Sequence, residues 1–530
     1  MAPSLQRDIL FLYGGMRMHN PKSPKVLCKV LALLFVFTLG ATGCDATGSA
    51  LLKYKNKTGA VSGKGTQALD SYEIKWFMPN GVQPDMEAVN AEMSKITREK
   101  INASLKVEFI DWGSYDRKMQ VKIASRDPMD LIFTSNWSND YITGVNKGAY
   151  LEISREKLKT LAPNVLEEVP ERCWPAAYVE GKLYAIINTQ VEGRTPGIFG
   201  YKKYFDKYSV DITKMTKMED LTPFLEMIKA GEPGVIPIEI DGTKPWFNDI
   251  ALTYGMEIFS KENPAALYIK DDSAKVMNYF AAPETKAYLE LVREWYTKGY
   301  IRKDAAIVKD YLTDLKAGKI ALMANVLNPD TMANQAALWG VKSSEMAGRT
   351  FMKTFMGTGG ITASMTAISR TSKDPDRCYM LYNLLYDRND TKLFNMLNYG
   401  IEGRHYTRKD DVVTQVPNSG YWVSCGWENG NMFNSYRQSE DQPPWYPTGP
   451  QMNETAGTST VFGFNFNLEP VKVELAQCSF VVGEYYNGLF TGSVDPDRYL
   501  PEFLDKLNRV GAERVIEEMQ KQIDEWKKNK

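Results

Sequence analysis

The chain has 530 residues, 43% hydrophobic and 24% charged, with a formal net charge of −1. That composition is ordinary for a soluble globular protein, and it offers no basic surplus for nucleic acid. No CxxC spacing occurs among the six cysteines, so a zinc or redox reading has little support.

The first element is the apolar run Val30 to Leu39. It follows Arg17, Lys22, Lys25 and Lys29 and precedes the small residues Ala41, Thr42 and Gly43. It is shorter than the roughly 20 residues that span a bilayer. A basic, then apolar, then small-residue order is that of a secretory signal peptide, read here as residues 1–43, with Met16 or Met18 as alternative starts. The stretch "ATGC" resembles a bacterial lipobox, although Ala41 stands where Leu is commonest. On that reading Cys44 receives lipid and becomes the first mature residue. Residues 45–67 are polar and rich in Gly, Ser, Thr and Lys, so 44–67 reads as the lipidated cysteine and a flexible tether. Residues 1–43 carry five Lys/Arg against one Asp, which leaves the mature chain at about −5.

From residue 68 the pattern alternates. "SYEIKWFMP" is strand-like through Tyr72, Ile74 and Trp76. Asp85 is placed to cap a helix with Met86, Val89, Met93 and Ile96 on one face. "LKVEFIDW", a helix through Met119 and Ile123, "MDLIFTS" and a helix in "SNDYITGVNKGAY" follow. Strand–helix–strand succession predicts an α/β fold with right-handed βαβ units and a parallel sheet. Ligands of such sheets sit beyond the carboxyl ends of the strands. Those ends are "FMPNG" (77–81), "DWGSY" (111–115) and "TSNWSND" (134–140). "GKLYAIINTQ" (181–190) reads as a strand leaving this first unit. A more helical region follows, with the strand "GKIALMAN" ending at Asn325. "TFMGTGGITASMTAIS" (354–369) reads as a crossing strand, and two helices close the chain.

Catalytic motifs are scarce. The mature chain has one histidine, His405, and no GxSxG, HExxH or Walker loop. A carboxylate pair for glycoside hydrolysis is not excluded by counting acids, and a surface hydrolase is the alternative reading. What stands out is aromatic residues beside amides and acids in loop-like places. These are Asn136 with Trp137, Asn188 with Gln190, Trp246 with Asn248 and Asp249, and then Trp339, Trp422 and Trp427. Sugars present apolar C–H faces and rings of hydroxyls. Aromatic planes cover the first, and amides, acids and Arg satisfy the second.

The lipobox, the tether, "NKGAYLEI", "GKLYAIINTQ", "GKIALMAN", "NYGIEGRHYT" (398–407) and the C-terminal stretch 461–526 together resemble the family 1 extracellular solute-binding lipoproteins of carbohydrate ABC transporters, LipO-type subgroup. The resemblance covers nearly all of 70–530. It implies a two-lobe, type II periplasmic-binding-protein-like fold with ligand in the cleft, no catalysis and no cofactor. The lobes would be 68–187 with 358–400, and 188–357 with 401–530. Crossings are expected near Ala185–Gln190, Thr354–Ser364 and Gly400–Tyr421. It also implies cleft positions at Asn136, Trp137, Asn188, Gln190 and the stretch holding Glu402, Arg404 and His405. Trp246, Asn248, Asp249, Asn325, Trp339, Trp422 and Trp427 complete the expected ligand-binding set. The implied partners are a carbohydrate, an ABC permease and the outer face of the cytoplasmic membrane of a Gram-positive cell through Cys44. The implied state is monomeric. Some relatives carry an acid-rich calcium loop before a strand like "VIPIEI"; here "GEPGVIPIEIDG" lacks those ligands, so no calcium is expected there.

Overall fold

The computed structural model describes residues 69–242 and 246–529. The expected signal segment, Cys44, the expected tether and the side chain of Trp246 lie outside the described residues. No helix among the described residues is long and apolar enough to cross a membrane.

The first lobe begins with β1 (Tyr72–Pro79), α1 (Met86–Ile101), β2 (Ala103–Ile110), α2 (Trp112–Ser125), β3 (Leu131–Thr134) and α3 (Tyr141–Asn146). The sheet order is β2–β1–β3, all parallel, with β1 and β2 in register from Tyr72↔Ala103 to Pro79↔Ile110. Met365–Ile368 adds antiparallel to β3, and Ile186–Ile187 closes that edge. All four residues of β3 are buried, as expected for a strand covered on both faces. α1 turns Val89, Met93, Thr97 and Ile101 into this core at helical spacing. Asp85 stands at the head of α1, yet its carboxylate makes no capping hydrogen bond. It is drawn instead to Arg404 and His405.

"GKLYAIINTQ" is not one strand. Lys182–Leu183 pairs with Tyr178–Val179 in a hairpin, and only Ile186–Ile187 enters the sheet. Between them the Tyr184 amide leaves the ladder and donates to the Tyr141 hydroxyl at 3.1 Å.

The second lobe is built on a four-stranded sheet in the order Met346–Thr350, Pro196–Tyr201, Ile320–Val326, Ile236–Glu239. A Cβ at Gly197 would strike the carbonyl of Arg349, so the close pairing there demands glycine. The core is aromatic, with Tyr288, Trp295, Phe490 and Phe503 among its buried residues. A small sheet of Met256–Ile258, Ala265–Tyr268 and Met277–Asn278 packs beneath the last helix, Ala512–Lys528, through Ala265, Leu267, Met519 and Ile523. The chain ends in three helices rather than two: Lys472–Phe490, Pro496–Arg509 and Ala512–Lys528. The first break falls at Gly492, whose φ of +71° and approach to the Val292 carbonyl exclude a side chain. Asp495 then caps the next helix by accepting from the Asp497 amide.

Three segments cross between the lobes and touch one another. Arg194 and Phe355 exchange backbone hydrogen bonds of 2.6 and 2.9 Å. Gly457 bonds on the other side of Phe355, donating to Thr354 and accepting from Met356. The third crossing therefore runs through Gly457 and not through 400–421. The reason is packing: Tyr421, Val423 and Ala456 belong to the first lobe's core, and Cys425 and Trp427 pack against it. Residues 401–456 accordingly sit on the first lobe, against the expected assignment of 401–530 to the second. Cys173, Cys378, Cys425 and Cys478 are free, and burial raises the thiol pKa of each.

Candidate functional site

The carboxyl ends of β2 and β3 each deliver a tryptophan. Trp112 opens α2 just beyond β2, and Trp137 lies three residues past β3. Trp427 joins them from the 401–456 segment. The rings of Trp112 and Trp137 stack at 5.6 Å, those of Trp112 and Trp427 at 5.9 Å, and Phe133 meets Trp137 and Trp427 edge-on at 6.2 Å each. Trp137 is 39% exposed, whereas Trp112 is nearly covered. The cluster therefore offers one supported aromatic face to solvent at the strand ends where ligands of parallel sheets bind.

That face is held rigidly. The Ser135 hydroxyl oxygen accepts from the Trp137 and Ser138 amides, and Asp116 accepts from the Ser138 hydroxyl at 2.7 Å and the Asn139 amide at 2.8 Å. The Trp137 indole N–H donates to Ala363 O at 2.9 Å, and the Asn136 side-chain amide donates to Gly359 O at 3.0 Å. Both acceptors lie on the second crossing, Gly359 within its short helix Thr358–Ile361 and Ala363 just beyond it. The loop is thus tied to the hinge. A preorganised surface of this kind loses less conformational entropy on binding.

Behind the platform lies Glu428, fully buried. Desolvation drives its carboxyl pKa well above the usual range, against the opposing pull of Cys425 and Asn80.

Asn188 is not a cleft residue. It is fully buried, its side-chain N–H groups donating to Glu428 O at 2.8 Å, Ser364 Oγ at 3.1 Å and Thr366 Oγ1 at 3.3 Å, and its oxygen accepting from the Tyr382 hydroxyl at 3.1 Å. It fastens the first crossing to the sheet and to the Trp427 turn. Trp339 is likewise interior, packed on Phe199 at 5.6 Å and Tyr201 at 4.7 Å. His405 is also fully buried. Its Nδ1 accepts from the Ile401 amide at 2.8 Å, which leaves Nε2–H to donate to Asp85 Oδ2 at 3.0 Å. All three are buried among protein neighbours in this structure. Only tertiary neighbours could reveal this.

The remaining expected residues fall into two groups. On the first lobe, Arg404 is half exposed and pairs with Asp85, and Glu402 pairs with Arg408 at 3.4 Å. Trp422 packs on Tyr399 at 4.9 Å, its amide donating to Gln83 at 2.8 Å. On the crossing and second lobe, Gln190 accepts at its carbonyl from Asn453 at 2.6 Å. Asp249 takes a 2.6 Å ion pair from Arg194, joining the crossing to the short helix Trp246–Ile250. The buried Asn248 amide oxygen has no hydrogen-bond partner. Asn325 lies opposite Gly197 near the end of its strand and half-buried, its amide oxygen accepting from the Val326 amide. Sequence reasoning missed Trp112 and Phe133, although "DWGSY" had been marked as a strand end.

Residues 460–528 match a family described as a domain of unknown function, DUF3502. A carbohydrate ABC transporter substrate-binding protein of Streptococcus pneumoniae serotype 4 is 28% identical over 89% of this chain and 95% of its own length. The lipoprotein LipO of Bacillus subtilis is 22% identical over 63% of this chain and 68% of its own. Among solved structures, the N-glycan transport solute-binding protein NgtS of S. pneumoniae superposes with a TM-score of 0.73 at 25% identity, over 87% of this chain and all of that one. Its complex with Man5GlcNAc gives 0.62 at the same identity, over 87% of this chain and 99% of that one. The fold is the two-lobe type of these solute-binding proteins.

Proposed function

We propose that this relative of carbohydrate-transporter substrate-binding proteins is itself a lipid-anchored extracellular receptor. It captures a neutral oligosaccharide between its lobes and hands it to an ABC importer. The observation that carries the reading is the Trp112–Trp137–Trp427 platform, set at the strand ends of the first lobe and bonded to the second crossing. A sugar's C–H face lies on exposed Trp137, while Asn136, Gln190, Asn248, Asp249, Asn325 and Arg404 are the polar groups offered to hydroxyls. Trp422 and Glu402 stand as further candidates on the first lobe, and Trp246 is a candidate from its sequence alone.

Closure follows from the hinge. Arg194, Phe355 and Gly457 lie side by side, so rotation about them moves one lobe against the other. A ligand that touches both lobes favours the closed form by its differential affinity for it. Lipid on Cys44 and the polar stretch 45–67 would hold the receptor near its permease as a monomer. Relatives that are substrate-binding proteins, one of them solved with Man5GlcNAc, favour this reading over a hydrolase.

The test is a thermal-shift screen of the chain from Asp45 onward against neutral and acidic oligosaccharides. A binder at 100 times its dissociation constant stabilises the protein by roughly 2.7 kcal/mol. A shift with one glycan class, with that glycan recovered intact, is the expected result. Breakdown of the glycan would replace the receptor with an enzyme.

A further inference from the structure

A second concavity opens away from the tryptophan platform. It encloses about 750 Å³, within the range of small-ligand sites. One wall is the far end of α3 and the hairpin tip of the first lobe. The other is the third crossing segment, beyond Gly457, and the end of the last helix. Four amides line it: Asn146, Asn465, Asn467 and Asn529. Tyr178 and Trp526 supply aromatic surface, and no lysine or arginine is among the lining residues.

These groups are fixed in place. Asn465 donates to Ala176 O at 2.8 Å. The Asn467 backbone is held by both ends of the Gln522 amide, at 2.9 and 3.0 Å. Trp526 packs edge-on against Phe464 at 6.0 Å. Glu180 and Gly181 both have positive φ, +50° and +77°, in the tight hairpin turn that forms the rim.

The groove and the platform flank the same short helix. Asn136, beside Trp137, bonds to Gly359, while the Gly463 amide donates to Thr358 Oγ1 at 2.8 Å. The two sites therefore adjoin one short element, and a branched oligosaccharide, unlike a single sugar, has an arm for each.

We propose that this groove is a second glycan subsite. It takes a neutral arm of the same branched oligosaccharide whose other arm stacks on Trp137. Amides and aromatics without a cation suit uncharged hydroxyl-rich rings and give no purchase to anions. The groove is walled by both lobes and partly by the 460–528 segment, so an arm lying in it would itself favour one lobe arrangement. The proposal rests on the carbohydrate reading given above.

The full chain labelled with 5-fluorotryptophan tests it by ¹⁹F NMR. Trp137→Phe and Trp526→Phe assign the two signals. The probes are a branched neutral oligomannose and a mannose-containing disaccharide. The expected result is that the branched glycan moves both signals and the disaccharide moves only that of Trp137. Asn146→Trp, which fills the groove from a helix end, should weaken the branched glycan at least tenfold and leave the disaccharide unchanged. A shift at Trp137 alone with both probes overturns the subsite and spares the receptor. Equal movement of Trp526 by both probes also overturns it, because lobe motion then accounts for the signal. No shift with either probe overturns the subsite as an oligomannose site, and the oligosaccharide screen above then decides the receptor separately.

Discussion

The indole N–H of Trp137 donates to the backbone carbonyl of Ala363 at 2.9 Å. That bond joins the exposed ring of the first lobe to a segment that crosses to the second. The exposed ring is therefore anchored at the first-lobe end of the second crossing.

Trp137→Ala removes the exposed face and should reduce glycan affinity at least tenfold, about 1.4 kcal/mol. Folding stability should change little, because Trp137 is the exposed member of its cluster. Trp137→Phe keeps a ring but loses the Ala363 bond, and it should fall between the two. Isothermal titration calorimetry reads the affinities. Equal affinity in all three proteins would place the ligand elsewhere.

Asn188→Ala should behave in the opposite way. It deletes a buried amide that satisfies Glu428 O, Ser364, Thr366 and Tyr382 together. Groups left unsatisfied in the interior cost about 1–3 kcal/mol. Urea unfolding should show that loss. If ligand affinity fell with stability intact, Asn188 would be a contact residue after all.

Glu257 is a buried carboxyl beside Gly357 of the second crossing. Burial pushes its carboxyl up to about 7, opposed by Ser459, and its Oε1 would stand only 2.7 Å from a Cβ on Gly357. A carboxyl raised above its unfolded value leaves stability fully present below pH 4.5 and erodes it as pH rises towards 7. That shift is worth about 3 kcal/mol as an order of magnitude. Glu257→Gln should remove this slope and be the more stable protein at pH 8. Parallel stability curves for the two proteins between pH 5 and 8 would rule it out.

Asp85 acts with the reverse sign. Its pKa is lowered, first by the hydrogen bond from His405 and also by Arg404, against desolvation. Its contribution is present above the unfolded carboxylate value and is lost as pH falls through the depressed folded one. Asp85→Asn should flatten the acid limb of the stability curve below about pH 4. An unchanged acid limb would mean the Asp85–His405 contact carries no stability.

The local pattern determined much of this protein. Alternation at Tyr72, Ile74 and Trp76, the 3.6-residue spacing of Val89 and Met93, and the strand-end loops all follow from short-range periodicity. They located the parallel sheet and the loop that holds Trp137. Tertiary structure alone decided which distant residues meet. Trp112, Trp137 and Trp427 come from three separate elements, and nothing in their spacing announces one platform. The third crossing moved to Gly457 because residues 401–456 bury Tyr421 and Val423 in the first lobe, a choice made by available core surface rather than by any local signal. Asn188, Trp339 and His405 look like binding residues in a linear reading. Burial made Asn188 and His405 hydrogen-bonded struts and Trp339 core packing, because polar groups or rings close around each of them only in the folded chain.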